Sequence, residues 1–470
     1  MLAKLQVLNL SGVNLKRSSR WLEAINMLPS LFELRLDYCH LYHILPNLQI
    51  NFTSLASLDL QGNFFSSTIP PWLFNITNIE FLDLSYNSFS GFIPEEIENT
   101  KFLRVLDLSG NALQGKIPKN ISNLCNLREF SVNKNRISGD ISNIIHGSLP
   151  SFSNPQIYER HIFLDSNKFD GPLPIFYGDV TVLDLSDNLL SGYIPQSIGY
   201  MMPELFILRV SNNKFIGTLP ESLCQMESLR VLDVSKNQLT GKLPECWNSS
   251  ERLTVIDASE NSFSGQIPWS LGSIPSLQSI HLQENKFLGE LPESLKNLTN
   301  LQTLDIGHNA FYGVIPSWLG ENLASLRFLS LESNNFAGEI PLQLCNLNAL
   351  QLLNLAQNNL NGTIPHCFRN FTSMIVGTEA LEQKNAPQGE IPKSLSKLCN
   401  LHEFYSSENR IRGDISNILG SSSTCALRSL ELSSLNINEL TGTTTKQLQR
   451  SDSKFFGTSA ISSIYTSSQQ

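Results

Sequence analysis

The sequence predicts an α/β repeat solenoid, a superhelix of short coils that each lend one strand to a concave parallel β-sheet. Three observations predict it. Apolar residues recur in one frame with a period of about 24 residues. An asparagine stands at a fixed place in most frames, and a glycine followed three residues later by a proline closes many of them.

The frame is plainest in "LQTLDIGHNAFYGVIPSWLG", where Leu301, Leu304, Ile306, Asn309, Phe311, Gly313, Ile315 and Pro316 carry the pattern. It restarts at Leu55, Ile79, Leu103, Leu127, Leu205, Leu229, Leu253, Leu277, Leu326 and Leu350, and more weakly near Glu159 and Val180. Alternate residues of a strand face opposite sides, so Leu304 and Ile306 are expected to point inward and Thr303, Asp305 and Gly307 outward. One coil cannot hide its own apolar side. Stacking joins the inward residues into a continuous core and pairs each strand with its neighbours. About seventeen coils, at ~4.8 Å per strand, give an arc on the order of 80 Å.

Asn309 recurs as Asn63, Asn87, Asn111, Asn213, Asn237, Asn261, Asn285, Asn334 and Asn358. Where the chain leaves the strand its backbone groups need partners, and a carboxamide offers both donors and an acceptor. These asparagines are therefore read as a structural ladder rather than a binding row. Gly313 supplies a conformation that residues bearing a Cβ resist, and Pro316 fixes the backbone after a second short extended segment.

The chain has 470 residues, 41% of them hydrophobic and only 16% charged, with a formal net charge of -9. A phosphate backbone needs clustered Lys and Arg, so nucleic acid is excluded as the expected partner. No apolar run reaches the length of about 18 residues that suggests a membrane span. The opening "MLAKLQVLNLSGVNL" has Leu5, Leu8 and Leu10 in frame and no continuous apolar leader, so the chain is expected to begin inside a repeat.

"LSGYIP" at Leu190 to Pro195 and "LNGTIP" at Leu360 to Pro365 resemble the closing element of plant-specific leucine-rich repeats. The run "WLEAINMLPSLFELRLDYCHL", followed by "NFTSLASLDLQGNFF" and "WLFNITNIEFLDLSYNSFSGFIP", is similar to the ectodomains of plant leucine-rich-repeat receptor-like proteins, the group that includes fungal-elicitor receptors. The resemblance spans residues 5–378. It implies a plant-type leucine-rich-repeat superhelix that recognises a protein, peptide or glycan ligand, serves defence or development, and signals through receptor kinases as co-receptors. It also implies the extracellular face of the plasma membrane, with no cofactor. The resembled proteins continue into a non-repeat island, more repeats, a capping cysteine pair and one membrane helix, which this sequence does not show. Two alternatives therefore stand beside the first reading: a soluble inhibitor of a secreted microbial enzyme, and a truncated product that does not signal.

Catalysis finds no motif. A phosphate-binding glycine loop, a kinase catalytic string and paired metal-ligand cysteines are all missing from the sequence, so neither enzyme activity nor a metal site is expected. Departures from the common "LDLSxN" are the informative outward residues. In the later repeats they are Arg209, His281, Gln283, His308, Phe328, Glu332, Asn354 and Gln357, read as a mixed aromatic and polar ligand-binding patch on neighbouring strands.

Asn-x-Ser/Thr strings make Asn51, Asn75, Asn120, Asn248, Asn297, Asn361 and Asn370 glycosylation candidates, and Asn51, Asn75 and Asn297 share one slot away from the strands. Asn9 has the same string but lies within a strand. Cys224 and Cys246 are spaced as Cys345 and Cys367 are, so disulfides between adjacent coils are open to them; buried free thiols are the preferred reading. Cys39 takes a ladder position and is read as a small core residue, and Cys125 and Cys399 as core thiols. An irregular stretch at 146–161 holds Tyr158 and Arg160 as exposed candidates.

The chain divides into a repeat array at 1–378, further partly degenerate repeats at 379–440, and a Ser/Thr-rich tail at 441–470 that is expected to be disordered. The middle segment echoes about 111–145. Aligned from Asn111 against Asn385, about two-thirds of the next 35 residues agree, including Arg136 with Arg410 and Asp140 with Asp414. Repeat mechanics do not demand those polar identities, which points to duplication or a join of related genes.

Overall fold

The computed structural model describes residues 4–141, 159–173, 180–365 and 367, together with three short strands, Glu403–Tyr405, Arg412–Asp414 and Glu439–Thr441. The chain forms two compact units, Met1–Phe311 and Tyr312–Gln470.

In the first unit each coil opens with a three- to five-residue strand, and these strands pair in parallel in sequence order from Val7–Asn9 to Thr303–Asp305. The register is regular: Leu58 faces Leu82, Leu82 faces Leu106, and Leu232 faces Ile256. Leu304 and Ile306 are fully buried while Thr303 and Asp305 are half-exposed, as strand alternation requires. Behind the sheet runs a spine of phenylalanines. Phe263 stacks on Phe287 at 6.2 Å and Phe287 on Phe311 at 6.1 Å, in planes 15° and 9° apart.

The asparagine ladder has the role its position suggests. The Asn285 carboxamide donates to the carbonyls of Leu282 and Gln283 in its own coil, at 3.2 Å each, and to Ala258 of the preceding coil at 2.9 Å. Its oxygen accepts the Phe263 backbone N–H at 2.9 Å. One side chain thus satisfies four backbone groups and ties two coils together. Cys39, in the same place, is fully buried and its thiol donates to the Leu10 carbonyl at 3.0 Å, a partial substitute for an amide.

The residue before each ladder asparagine is left-handed whatever its type. Tyr38, Tyr86, Lys134, Lys236, Glu260 and His308 have φ between 50° and 53°, and Gly62 and Gly110 fill the same place in other coils. The strain on the non-glycine residues is held in place by the asparagine bonds beside them, except at Tyr38, where Cys39 takes the ladder place and its N–H bonds Asn63 of the next coil. A second set of short parallel strands follows, among them Lys214–Gly217, Gln238–Gly241 and Ser262–Gly265. Each ends on a left-handed glycine such as Gly265, φ 81°.

The back of most coils is a single turn of 3₁₀-helix begun by the expected proline. Pro94, Pro118, Pro220, Pro268 and Pro292 each precede such a turn, and in Glu95–Asn99 the Ile97 N–H bonds the Pro94 carbonyl at 3.2 Å. Among the described residues of the first unit only Trp21–Ile25 and Ile198–Met201 are α-helical. The helical half of the α/β description is therefore mostly single 3₁₀ turns.

The second unit repeats the scheme. Phe328–Ser330, Leu352–Asn354 and Glu403–Tyr405 pair in parallel, and Asn358 bridges to the Leu331 carbonyl at 2.9 Å. Glu403–Tyr405 is the counterpart of Glu129–Ser131 in the earlier copy, and both form main-sheet strands. Thr441, the first residue of the expected tail, closes a strand paired with Arg412–Asp414. Tyr158, Asn370, Cys399 and 442–470 lie outside the described residues. Arg160 corrects the reading of the irregular stretch: it belongs to the strand Arg160–Phe163 and is only 7% exposed. Among the described residues no helix is long and apolar enough to cross a membrane.

Candidate ligand-recognition face

The last position of each main strand builds one row across the first unit. In register it reads Asn9, Arg35, Asp59, Asp83, Asp107, Ser131, Phe163, Asp184, Arg209, Asp233, Asp257, His281 and Asp305. The aspartates have a local task. Each accepts a backbone N–H two residues on, as Asp83 does from Ser85 at 2.8 Å and Asp257 from Ser259 at 3.0 Å, which turns the chain out of the strand.

Stacking carboxylates one strand apart has an electrostatic cost. Burial raises the Asp83 carboxyl to about 6, with the like charges of Asp107 and Asp59 adding to it against bonds from Ser85. Asp165, one step beyond the row, is likewise pushed up to about 6 by burial and then by Asp184. Burial raises Asp233 and Asp257 as well. These four carboxyls thus resist ionisation.

Three residues break this row in the later coils. Arg209 reaches Asp184 at 3.4 Å, placing a cation among the carboxylates. His281 is 8% exposed and shares a 2.8 Å hydrogen bond with the Ser279 hydroxyl; burial lowers its pKa although Asp305 and Asp233 pull the other way. Phe163 replaces aspartate altogether, with the His161 ring edge-on at 6.3 Å. Beside them the Arg230 guanidinium covers the Phe206 ring at 4.3 Å. Phe163, His161, Phe206 and Arg230 escaped the sequence reading. For His161 and Phe163 a weak frame around Glu159 and Val180 obscured the strand, and Arg230 stands where arginine recurs as Arg104, Arg128 and Arg327, so only its contact with Phe206 sets it apart.

The eight patch candidates do not all stand on strands. Within the first unit Arg209 and His281 do; Gln283 follows its strand, and His308 occupies the left-handed turn, φ 53°. Gln283 Oε1 is enclosed with no hydrogen-bond partner. Within the second unit Phe328 and Asn354 are strand residues, Glu332 follows its strand, and Gln357 sits in the left-handed turn, φ 54°. Here Asn354 donates to Glu332 at 2.6 Å, and the Ser333 hydroxyl bonds Gln357. The expectation that all eight lie on neighbouring strands is corrected accordingly, because each strand ends at the aspartate place of "LDLSxN" and the residues after it lead into the turn.

The cysteines also correct the sequence reading. Cys224 is bonded to Cys246 and Cys345 to Cys367, with Cα atoms 5.6 and 5.8 Å apart, so these four are not free thiols. Successive back turns approach closely enough for each pair to staple two coils. Cys125 is half-buried rather than a core thiol. Of the glycosylation candidates, Asn51, Asn75, Asn248, Asn297 and Asn361 are exposed and Asn120 is half-buried. Asn75 and Asn297 end 3₁₀ turns on the back of the coils, away from the strand face. Asn9 is in a strand, its side-chain oxygen bonded to Ser11.

Leucine-rich-repeat family models match residues 53–113 and 275–336, and also 179–201, 204–226, 228–250, 252–274 and 349–371, together about half of the chain. Receptor-like protein 14 of Arabidopsis thaliana is 32% identical over 92 residues, 19% of this chain and 9% of that protein. Pollen receptor-like kinase 1 of Petunia integrifolia is 40% identical over 81 residues, 17% of this chain and 10% of the kinase. The matched stretches therefore span only about a tenth of these relatives' length. Among solved structures, the plant peptide hormone receptor RGFR1 in complex with RGF2 superposes with a TM-score of 0.67 at 31% identity, covering 83% of this chain and 66% of that one. The Arabidopsis receptor kinase HAESA ectodomain in complex with an IDA peptide hormone gives 0.69 at 29% identity, covering 83% and 60%. With the asparagine ladder, the glycine-closed second strand and the proline-started back turn all in place, the chain belongs to the leucine-rich-repeat family, in the form found in plant receptor ectodomains.

Proposed function

We propose that this chain is a ligand-recognition ectodomain of a plant receptor-like protein, acting outside the cell in defence or developmental signalling through partner receptor kinases. The ligand is a peptide or a protein segment lying across the strand face of the first unit. One observation carries this reading: the aspartate row is broken by Phe163, Arg209 and His281, with Phe206 and Arg230 alongside. Aromatic and arginine side chains are the types that concentrate binding energy at recognition surfaces. Glycan candidates on the back leave that face open. The peptide-bound receptors of the same architecture support the class of ligand.

The test is selection of peptides from a displayed random library against the full chain, followed by calorimetry on the winners. Binding that falls at least about tenfold in Phe163→Asp and in Arg209→Asp supports the reading, since a residue near the centre of such a surface contributes about 1.4 kcal/mol or more. Winners indifferent to both substitutions would rule it out.

A further inference from the structure

The first two coils of the first unit close differently from the rest. Residues 16–20, "KRSSR", stand where the frame elsewhere places a residue, glycine, a residue, isoleucine and proline, and His43 takes the glycine place of the next coil. Without that glycine the second layer of strands does not form here; among the described residues it starts at the Thr68–Ser90 bridge and the strand Ser90–Gly91. The two closing segments part instead and leave an open cleft of about 290 Å³, walled by Lys16, Ser18, Ser19, Tyr42 and His43. Trp21 lies at its floor, the indole N–H donating to the His43 carbonyl at 2.8 Å.

An aromatic shelf continues from the cleft. Tyr42 stacks on Phe64 at 4.9 Å, and the Lys16 ammonium is 5.7 Å from the Tyr42 ring centre. Tyr38 lies over Gly62 and Tyr86 over Gly110, so close that a Cβ on Gly62 would meet three Tyr38 ring atoms within 2.9 Å. Seated on glycine, each ring turns its other face to solvent, and Tyr38, Phe64 and Tyr86 are 53%, 44% and 50% exposed. Tyr38 and Tyr86 are two coils apart, about 9.6 Å along the stack. At the cleft the charge is positive, although the chain as a whole is at -9: Lys16 and Arg17 are exposed here, and Arg20 is held by Glu23 at 2.6 Å, while Asp37, the carboxylate before Tyr38 at the shelf, bonds the Ser11 hydroxyl.

We propose that cleft and shelf together form a binding site for an anionic oligosaccharide, a chain of uronate sugars. The C–H face of a pyranose ring is complementary to the negative face of an aromatic ring. Ser18, Ser19 and His43 offer hydrogen-bonding groups to sugar hydroxyls, while Lys16 and Arg17 pair with the carboxylates. The spacing of Tyr38 and Tyr86 suits every second ring of an extended chain. An acidic peptide would match the cations but has no need of rings presented face-up at regular intervals. The site is distinct from the strand face and does not depend on the peptide reading.

Calorimetry on the full chain with an oligogalacturonate of about ten residues tests this, beside a neutral cello-oligosaccharide of equal length and an oligoglutamate peptide. The expected result is binding of the oligogalacturonate alone, weakened by salt. It should fall at least about tenfold in Lys16→Gln/Arg17→Gln and in Tyr42→Ala, but persist in Tyr42→Phe, which keeps the ring. Trp269→Ala, a distant exposed aromatic, should leave it unchanged. No saccharide binding, equal binding of the neutral chain or the peptide, or equal loss in Trp269→Ala would overturn the proposal.

Discussion

Asn285 uses both ends of its carboxamide, and nothing else of its size can hold two backbone strands apart and together at once. Asn285→Ala leaves four part-buried backbone groups without their partner. The expected cost is ~2–4 kcal/mol, read as a lowered urea midpoint. Asp83 makes the opposite prediction. Its carboxyl titrates at about 6 in the folded chain against 3.8 as the ordinary value, so the folded state holds a proton that the unfolded state gives up between those limits. The stabilisation from that proton is complete below the lower value and is lost as pH rises through the higher one. Asp83→Asn keeps an oxygen for the Ser85 N–H and removes the charge. It should stabilise the chain by on the order of 1 kcal/mol near neutral pH, and the gain should vanish at about pH 4, in unfolding curves run at both.

At the scale of one coil, two backbone positions of the same left-handed sign invite opposite substitutions. Gly265→Ala strains a φ of 81° and sets a Cβ 2.9 Å from Lys242 Cγ, so it should destabilise by at least about 1 kcal/mol. Lys236→Gly relaxes a φ of 52° and should be close to neutral, the relief of strain offset by the extra freedom of the unfolded glycine. A thermal melt of both variants checks the contrast. The first position was legible in the sequence because only glycine recurs there. The second was not, because tyrosine, lysine, glutamate and histidine all occupy it and the conformation comes from the asparagine beside it. The strands were legible through their period. The 3₁₀ character of the back turns was not, since a proline and five residues begin an α-helix and a 3₁₀ turn alike. Half of the candidate patch was misplaced on strands for a related reason: sequence offset alone does not show where a strand ends and its turn begins, as His308 and Gln357 illustrate.

Over many coils, stability is the sum of neighbour contacts, and a cross-link between neighbours acts locally. Cys224 and Cys246 enclose a sequence separation of 22 residues. Cys224→Ser/Cys246→Ser should therefore lower stability by about 3 kcal/mol, in denaturation under non-reducing conditions. The pairing was open in the sequence but not decided there, because it rests on how closely two back turns approach. Each ladder asparagine reaches back a single coil and no further, as Asn285 does to Ala258. A gene can in consequence gain or shed one complete winding by unequal crossing-over without stranding a donor or an acceptor anywhere else. The array's length is by this logic free to change, and a duplication or a join of related genes, either of which the echo of 111–145 at 385–419 would record, fits such a ladder.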